Sequence, residues 1–352
     1  MSNDHSNQLQ QQVKQACENK IPLRIEAGNS KSFYGNPVKG EVIDVRPHQG
    51  IISYEPSELV IKAKAGTALA EIEAELKQHQ QQFSFEPPHF GTNATLGGTV
   101  ACGLSGPARP FRGSLRDHVL GCTVLTGKGD ILHVGGEVMK NVAGYDVSRL
   151  MAGNLGTLGI LLDISIRVAP LDNSEMTLQF DCSPTEAIQK CNAWSAQALS
   201  FSAACYLDDV LYIRLSGSQA AINAAQAKLG GIETDGAVFW KDLREHQLPF
   251  FKTNTPLWRT SIAANTEALP IEGKHIIDWA GAQRWITSSE TETEIRNIVE
   301  QFGGHATLFR KGENIEETFH PLTGKLKQLH LNIKQVFDPF GILNFGRMYS
   351  DI

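Results

Sequence analysis

Cysteine is scarce in this sequence, and neither cysteine nor histidine occurs in a metal-binding pattern. Six cysteines are spread over 352 residues, and no two of them form a Cys-x-x-Cys pair. The eleven histidines likewise contain no His-x-His or His-x-x-x-His pair. We therefore expect reduced, mostly buried thiols in a reducing compartment and no locally encoded zinc or iron site.

A surplus of basic residues is also missing. Lys and Arg together number 32 against 38 for Asp and Glu, so the formal net charge is −6. A nucleic-acid binder needs a basic face that displaces counterions from phosphates, and this composition argues against that class. A local basic pocket for one small anion is still compatible with it.

Long apolar runs are absent too. Stretches such as Leu158–Leu162 are far shorter than the ~18 residues of a membrane span. Residues 1–15 have neither the basic nor the apolar segment of a signal peptide. We expect a soluble cytoplasmic protein that reaches the inner membrane only peripherally, through partners.

Three common active-site motifs do not occur. The dinucleotide fingerprint G-x-G-x-x-G needs a third glycine that is missing after Gly127 and Gly129. Five residues separate Gly121 from Gly127-Lys128, where a P-loop has four. No G-x-S-x-G nucleophile elbow is present. These absences argue against a Rossmann, P-loop or α/β-hydrolase site.

Glycine, in contrast, is concentrated in one region. Of 32 glycines, 15 lie between Gly91 and Gly159, whereas all five tryptophans come later. Regular elements disfavour so much glycine, so the region indicates tight turns or backbone that lies against a ligand. Together with the length, the change in composition near Pro170 predicts domains at 1–170 and 171–330 and a C-terminal segment at 331–352.

Local patterns predict an α+β fold with many short strands. Helical spacing indicates helices over 6–19, 68–79 (with Thr67 as N-cap), 185–198, 218–229 and 326–337. Apolar and alternating runs indicate strands over 23–27, 41–45, 59–65, 83–85, 161–168 and 210–215 and a hairpin of 119–126 with 130–134.

A set of glycine-rich and small-residue motifs carries the functional signal. The first is the loop Gly28-Asn29-Ser30-Lys31-Ser32, whose backbone N–H groups can form an anion-binding nest, although such a loop alone is more often a turn. Five further motifs then follow in order, and a sixth lies near the C-terminus. They occupy residues 90–98, 101–106, 114–121, 135–146, 153–160 and 341–348.

Their order and spacing resemble the FAD-binding domain of the vanillyl-alcohol oxidase or p-cresol methylhydroxylase (PCMH) type, in the glycolate oxidase and D-lactate dehydrogenase branch. Residues 136–146, 257–259 and 277–285 are most similar to the family of FAD-binding E subunits of bacterial glycolate oxidase. The resemblance implies a two-subdomain PCMH-type FAD domain, a smaller α+β cap domain and a C-terminal segment that returns to the flavin. It also implies a complex with a larger flavoprotein subunit and an iron–sulfur subunit that oxidises glycolate to glyoxylate.

The resemblance also places the cofactor. The loop at 28–32 would bind the pyrophosphate, while glycines would let the backbone approach the isoalloxazine ring. The residues expected to bind FAD are Gly28, Asn29, Ser30, Lys31, Ser32, Pro88, Gly91, Thr92, Leu96, Gly97, Gly98, Ser105, Gly106, Gly113, Ser114, Gly156, Thr157, Gly159, Ile160 and Asn344. Covalent relatives carry a histidine in the phosphate loop or a cysteine before the flavin strand, and this chain has neither, so FAD should be non-covalent. His89 is the nearest candidate for a linkage, or it is an ordinary loop histidine.

For catalysis the sequence offers individual candidate residues rather than a complete motif. Catalytic relatives have a paired-histidine motif and a downstream Glu-His that hold a metal and the substrate hydroxyl. Neither segment is recognised here in its family context, since no two histidines are seven residues apart. Candidates for a base are His275, His305 and His320, each of which is alternatively a structural histidine. Arg259 and Arg284 are candidates for binding a carboxylate, or they stack on neighbouring tryptophans.

Three functions therefore stay open at this point. The leading one is an FAD subunit of a hetero-oligomeric glycolate oxidase, and the second is a stand-alone FAD-dependent 2-hydroxy-acid dehydrogenase. The third is a non-catalytic accessory subunit. Tryptophan is enriched at interface hot spots, so the five tryptophans of the second domain are either partner contacts or core residues.

Overall fold

A computed structural model describes residues 3–136, 146–312 and 317–352 of the chain. The helices are α1 (Ser6–Asn19), α2 (Leu69–Gln78), α3 (Leu96–Cys102), α4 (Arg109–Arg112), α5 (Leu115–His118), α6 (Val147–Met151), α7 (Pro184–Ser195), α8 (Gln219–Leu229), α9 (Ala237–Arg244), α10 (Glu292–Gln301) and α11 (Gly324–Phe337). The strands are β1 (Leu23–Glu26), β2 (Glu41–Asp44), β3 (Ile51–Glu55), β4 (Val60–Lys64), β5 (Gln81–Gln82), β6 (Val119–Leu125), β7 (Ile131–Gly135), β8 (Ile160–Arg167), β9 (Ala169–Pro170), β10 (Ser174–Asp181), β11 (Phe201–Leu207), β12 (Val210–Gly217), β13 (Ile232–Thr234), β14 (Leu257–Ser261), β15 (Lys274–Asp278), β16 (Gln283–Thr287) and β17 (His305–Arg310).

These elements form two compact units. Unit 1 consists of Met1–Leu104, Ser114–Pro170 and Pro321–Ile352, and unit 2 consists of Ser105–Gly113 and Leu171–His320. The C-terminal segment therefore packs with the N-terminal part of the chain.

Unit 1 is built on a five-stranded antiparallel sheet and a small parallel pair. The sheet has the strand order β3-β4-β8-β6-β7, and β1 pairs with β2. Strand β8 is buried on both faces, so its apolar residues enter the same core as those of α1, α2 and α3. The C-terminal segment joins β1 through a parallel bridge between Leu23 and Leu343. The bridge therefore places the C-terminal segment beside the first strand of the chain.

Unit 2 contains an eight-stranded antiparallel sheet with helices packed on it. Its strand order is β13-β10-β12-β11-β15-β16-β14-β17. Helices α7 and α8 pack into one apolar cluster and α10 into another. Ser183 and Thr291 cap α7 and α10 with capping boxes, which fix where these helices begin.

Most elements predicted from the sequence are confirmed within a few residues, but two local predictions are wrong. Thr67 is not the N-cap of α2, because its buried hydroxyl donates to the Lys64 and Gly50 carbonyls and Ala68 holds the cap position. Residues 83–85 form a turn rather than a strand, since both phenylalanine rings enter the core and the strand pairing ends at Gln82.

Candidate functional site

A cavity of about 350 Å³ lies in unit 1, where several parts of the chain meet. They include the segment 24–32 along and after β1, helix α3, the segment 155–161, and the C-terminal residues Asn344 and Arg347. Ligand pockets of proteins span about 300–1,000 Å³. This cavity is therefore the candidate ligand site of unit 1.

The loop that follows β1 gives one part of the cavity an anion-binding character. Asn29 lies in the left-handed region with φ 55°, a conformation that asparagine tolerates well. The Lys31 side chain is buried, and its ammonium group donates to Ser30 Oγ at 3.4 Å and to the His89 carbonyl at 3.3 Å. A buried ammonium group beside backbone N–H groups favours a negatively charged ligand.

Gly28 has a packing role in the same loop. A Cβ atom at this position would lie 1.4 Å from the carbonyl oxygen of Asn93. Any side chain would therefore force the loops at 28–32 and 86–93 apart. The glycine is required by the contact between these two loops, independently of a ligand.

Arg347 adds a basic side chain to the cavity besides Lys31. The sequence analysis did not include it among the residues expected to bind FAD. Its guanidinium donates to the Ser32 carbonyl and to the Asn36 carbonyl, both at 2.9 Å. Burial lowers the pKa of Arg347, and it lies at the cavity together with Arg24 and Lys31. Glu26 is the one acidic residue among those that line the cavity. The balance of charge in the cavity is therefore positive, as a bound diphosphate requires.

Small residues form another part of the cavity wall. A Cβ on Gly97 would lie 2.7 Å from Ala65 Cβ, and a Cβ on Gly159 would lie 2.4 Å from a Val124 methyl carbon. These glycines let α3 and the segment before β8 pack tightly against neighbouring strands. The consequence for the cavity is a wall of short side chains and backbone, suited to a flat ring.

Asn344 fixes the C-terminal segment at this wall. Its Oδ1 accepts from the Ile25 N–H at 2.9 Å, and its Nδ2 donates to the Leu155 carbonyl at 2.7 Å. The side-chain amide thus joins β1, the segment at 155 and the returning chain. Because both the oxygen and the nitrogen of the side-chain amide bond to the backbone, Asn344 holds these segments of the cavity wall together.

The structure brings together eleven of the twenty residues that the sequence assigned to FAD. These line the cavity: Gly28, Asn29, Ser30, Lys31, Ser32, Gly97, Gly98, Gly156, Gly159, Ile160 and Asn344. Six others lie elsewhere in unit 1, namely Pro88, Gly91, Thr92, Leu96, Ser114 and Thr157. Ser105, Gly106 and Gly113 belong to unit 2. Residues 137–145, most of another motif, lie outside the described residues.

Trp279 gives a reason for the position of the segment 105–113. Its Nε1 donates to the Gly106 carbonyl at 3.0 Å, and the Arg109 guanidinium lies 4.4 Å from its ring centroid. Arg112 also donates to Asp172 at 2.8 Å. Gly106, Arg109 and Arg112 thus anchor this segment within unit 2.

The two candidate arginines of unit 2 lie on opposite faces of its sheet. Arg259 pairs with Trp285 across β14 and β16, whereas Arg284 pairs with Thr260. Successive residues of a strand point to opposite faces, and paired residues point to the same face. One carboxylate therefore cannot be held by both arginines.

Two of the three candidate histidines lie on these two faces of the sheet, and His320 lies outside its strands. His305 pairs with Ser261 and so shares a face with Arg259, while His275 pairs with Ile286 and shares the face of Arg284. His275 Nε2 lies 2.8 Å from the Ile271 carbonyl, and burial lowers the pKa of its imidazole. His320 Nε2 lies 2.8 Å from Glu300 Oε1.

Arg284 is buried without an acidic partner among the described residues. Its side chain is 2% exposed, and one nitrogen donates to the Thr266 carbonyl at 2.9 Å. Burial lowers the pKa of Arg284 to about 10, so folding disfavours the charged form of this side chain. A residue so deeply covered does not reach a substrate in this conformation.

We predict that Arg284→Met raises the free energy of unfolding by about 1–3 kcal/mol, because methionine fills the site without a desolvated charge. The exposed Arg116→Met is the matched control, and its effect should stay within about 0.5 kcal/mol. Urea unfolding of both variants measures the difference. A loss of stability in Arg284→Met would show that the guanidinium is held by interactions stronger than its desolvation.

Three of the five tryptophans are core residues. Trp240, Trp258 and Trp285 are only 1–5% exposed, so they pack inside unit 2 and are not available to a partner. Trp194 and Trp279 are partly exposed. Of the two alternatives that the sequence left open, the core position therefore applies to these three.

His89 lies outside the cavity and is paired with an acidic residue. His89 Nε2 lies 3.0 Å from Glu73 Oε2, and this histidine is not among the residues that line the cavity.

Within 3–136, 146–312 and 317–352, no three His, Cys, Asp or Glu side chains are grouped so that they could hold a metal ion. No helix in the same part of the chain is both long and apolar enough to cross a membrane.

Comparison with known proteins identifies the cofactor and the family. Residues 3–135 match the family described as FAD binding domain (FAD_binding_4), so FAD is the cofactor of unit 1. The chain is also similar to solved structures of alkyldihydroxyacetonephosphate synthase, one of which has a TM-score of 0.68 at 15% identity over 97% of this chain and 74% of that chain. This likeness shows a PCMH-type fold. The basic loop and the wall of small residues fit FAD.

Curated relatives give the more specific result. D-lactate dehydrogenase of Anaerostipes hadrus is 31% identical over 51% of this chain and 38% of its own length. The glycolate oxidase subunit GlcD of Bacillus subtilis is 27% identical over 46% of this chain and 34% of its own length. The glycolate oxidase subunit GlcE of Escherichia coli K12 is 47% identical over 99% of both chains. The chain therefore belongs to the GlcE family of FAD-dependent oxidoreductase subunits.

Proposed function

We propose that this chain is the FAD-binding subunit of a glycolate oxidase that converts glycolate to glyoxylate. The observation that carries the proposal is the end-to-end similarity to the E. coli glycolate oxidase subunit GlcE, at 47% identity. The bound FAD supplies the two-electron acceptor for the hydroxy acid. Glycolate-dependent reduction of a dye by the complex, and its loss when this chain is left out, is the test.

The proposed FAD site is the cavity of unit 1. Lys31, Arg347 and the backbone of residues 28–32 bind the diphosphate, because they supply positive charge and N–H donors at one part of the wall. Gly97, Gly98 and the segment 155–161 accommodate the flat ring system. FAD is held without a covalent bond, since His89 is paired with Glu73 and does not line the cavity.

Arg259 is the stronger of the two candidates for binding the substrate carboxylate. Its side chain is only partly buried, and His305 lies on the same face of the sheet. A guanidinium binds a carboxylate bidentately, and a nearby imidazole can accept the hydroxyl proton. In the proposal the pair binds and deprotonates the substrate only in the assembled complex, where the partner subunits would orient His305 as the base.

The chain is proposed to work inside a cytoplasmic complex with a larger flavoprotein subunit and an iron–sulfur subunit. The iron–sulfur subunit would carry the electrons away, and the complex would meet the inner membrane only peripherally. Helix α11 and Phe340, the third residue after its end, support a role as a subunit. Four of their apolar side chains recur at heptad spacing and are 52–63% exposed, namely Leu326, Leu329, Val336 and Phe340. Exposed apolar rows of this kind are typical of protein contacts.

A further inference from the structure

A buried ion pair joins the last helix to the segment that follows it. Lys334 Nζ lies 2.9 Å from Asp338 Oδ2, and the two side chains are 8% and 0% exposed. Burial lowers the pKa of Lys334, while the Asp338 carboxylate opposes this effect by favouring the charged ammonium. Neither residue lines the cavity. The pair thus lies one layer behind its wall.

The Lys334 ammonium connects two separate segments of that wall. It donates to the Thr157 carbonyl at 2.7 Å and to the Leu343 carbonyl at 3.0 Å. Thr157 follows Gly156, and Leu343 precedes Asn344, and both Gly156 and Asn344 line the cavity. One side chain therefore fixes the distance between the two segments.

The Asp338 carboxylate fixes the turn by which the chain returns to β1. It accepts from the Ile342 N–H at 3.1 Å and from the Leu343 N–H at 2.8 Å. The returning segment then bonds to β1, because the Leu23 N–H donates to the Ile342 carbonyl and the Asn344 N–H donates to the Leu23 carbonyl. The position of Asn344 therefore depends on Asp338.

We propose that Lys334 and Asp338 are positioning residues of the FAD site, so that flavin binding depends on the docking of α11. The inference rests on the FAD site proposed above. A buried ion pair is often no more stabilising than apolar side chains of the same volume. Its contribution here is the defined position that it gives to the segments at 155–157 and 342–344.

The test is the double variant Lys334→Met/Asp338→Asn, which removes both charges and leaves no lone buried ion. We expect its Kd for FAD, measured by flavin fluorescence titration of the apoprotein, to rise about tenfold, as the loss of buried hydrogen bonds predicts. Lys327→Met is the matched control, because Lys327 lies on the same helix and forms an exposed pair with Asp351. Its Kd should equal that of the wild type.

A second readout separates positioning from simple stabilisation. In the wild type, FAD should slow hydrogen exchange at the amides of Ile342, Leu343 and Asn344, and this protection should be lost in the double variant. If the double variant does not fold, the wild-type exchange result decides alone: no slowing by FAD overturns the inference. An unchanged Kd in a folded double variant also overturns it. A wild-type protein that binds no FAD would instead refute the proposed function.

Discussion

Ser30→Asp is expected to produce a folded protein that has lost its FAD. Ser30 Oγ lies 3.4 Å from the Lys31 ammonium, so an aspartate there would pair with Lys31 and remove its charge from the cavity. The new carboxylate would also repel the diphosphate. Two unit charges about 4 Å apart repel by about 4 kcal/mol at an effective dielectric constant of 20. We therefore expect affinity for FAD to fall at least about 100-fold.

Ser30→Asn is the control, because it has the size of aspartate without the charge. Flavin absorbance of the purified variants and FAD titration of their apoproteins measure the effect, with circular dichroism as a check on folding. Gly28→Asp is a poorer probe, because the clash with the Asn93 carbonyl would disturb two loops whatever the charge. If Ser30→Asp and the wild type contain equal amounts of FAD, the loop at 28–32 does not bind the diphosphate.

The isolated chain is expected to oxidise glycolate very slowly. No two histidines of the sequence are seven residues apart, as in the paired motif of catalytic relatives. The one Glu-His pair, Glu245-His246, has its imidazole buried against Phe251, and His275 is held by the Ile271 carbonyl. A positioned general base contributes about 10²–10⁴ in rate, so the chain alone should be at least about 100-fold slower than the complete complex. Dye reduction by the purified chain and by the reconstituted complex, at equal FAD content, gives the comparison.

The Arg259→Met and Arg284→Met variants provide the matched pair for this experiment. Assembled with the partner subunits, Arg259→Met should raise the KM for glycolate, whereas Arg284→Met should leave it unchanged. Rapid turnover of glycolate by the chain alone would contradict the subunit proposal and favour a stand-alone 2-hydroxy-acid dehydrogenase. Full activity of the complex without this chain would favour an accessory role.

The sequence predicted the parts of the cavity that are written in consecutive residues. The loop at 28–32 and the glycines at 97–98 and 156–159 follow from short motifs, since each serves a local turn or close contact. It did not predict the contribution of Arg347 or Lys334. Arg347 bonds to the Ser32 carbonyl and Lys334 to the Thr157 carbonyl, and these partners are remote along the chain.

Strand register is a second feature that the sequence did not predict. Arg259 and Arg284 are equivalent candidates by composition, because each has a tryptophan beside it. Only the pairing of β14 with β16 places them on opposite faces of the sheet. The glycines of 105–113 show the same limit, since the bond between Trp279 and the Gly106 carbonyl joins residues far apart in sequence.

Acid precipitation of the purified chain tests most directly whether unit 1 binds one FAD without a covalent bond. Supernatant and pellet are assayed for flavin absorbance against the amount of protein. We predict one FAD per chain, all of it in the supernatant, and a colourless pellet. Flavin retained in the pellet would contradict non-covalent binding. A pure protein without flavin that added FAD cannot reconstitute would contradict the site itself.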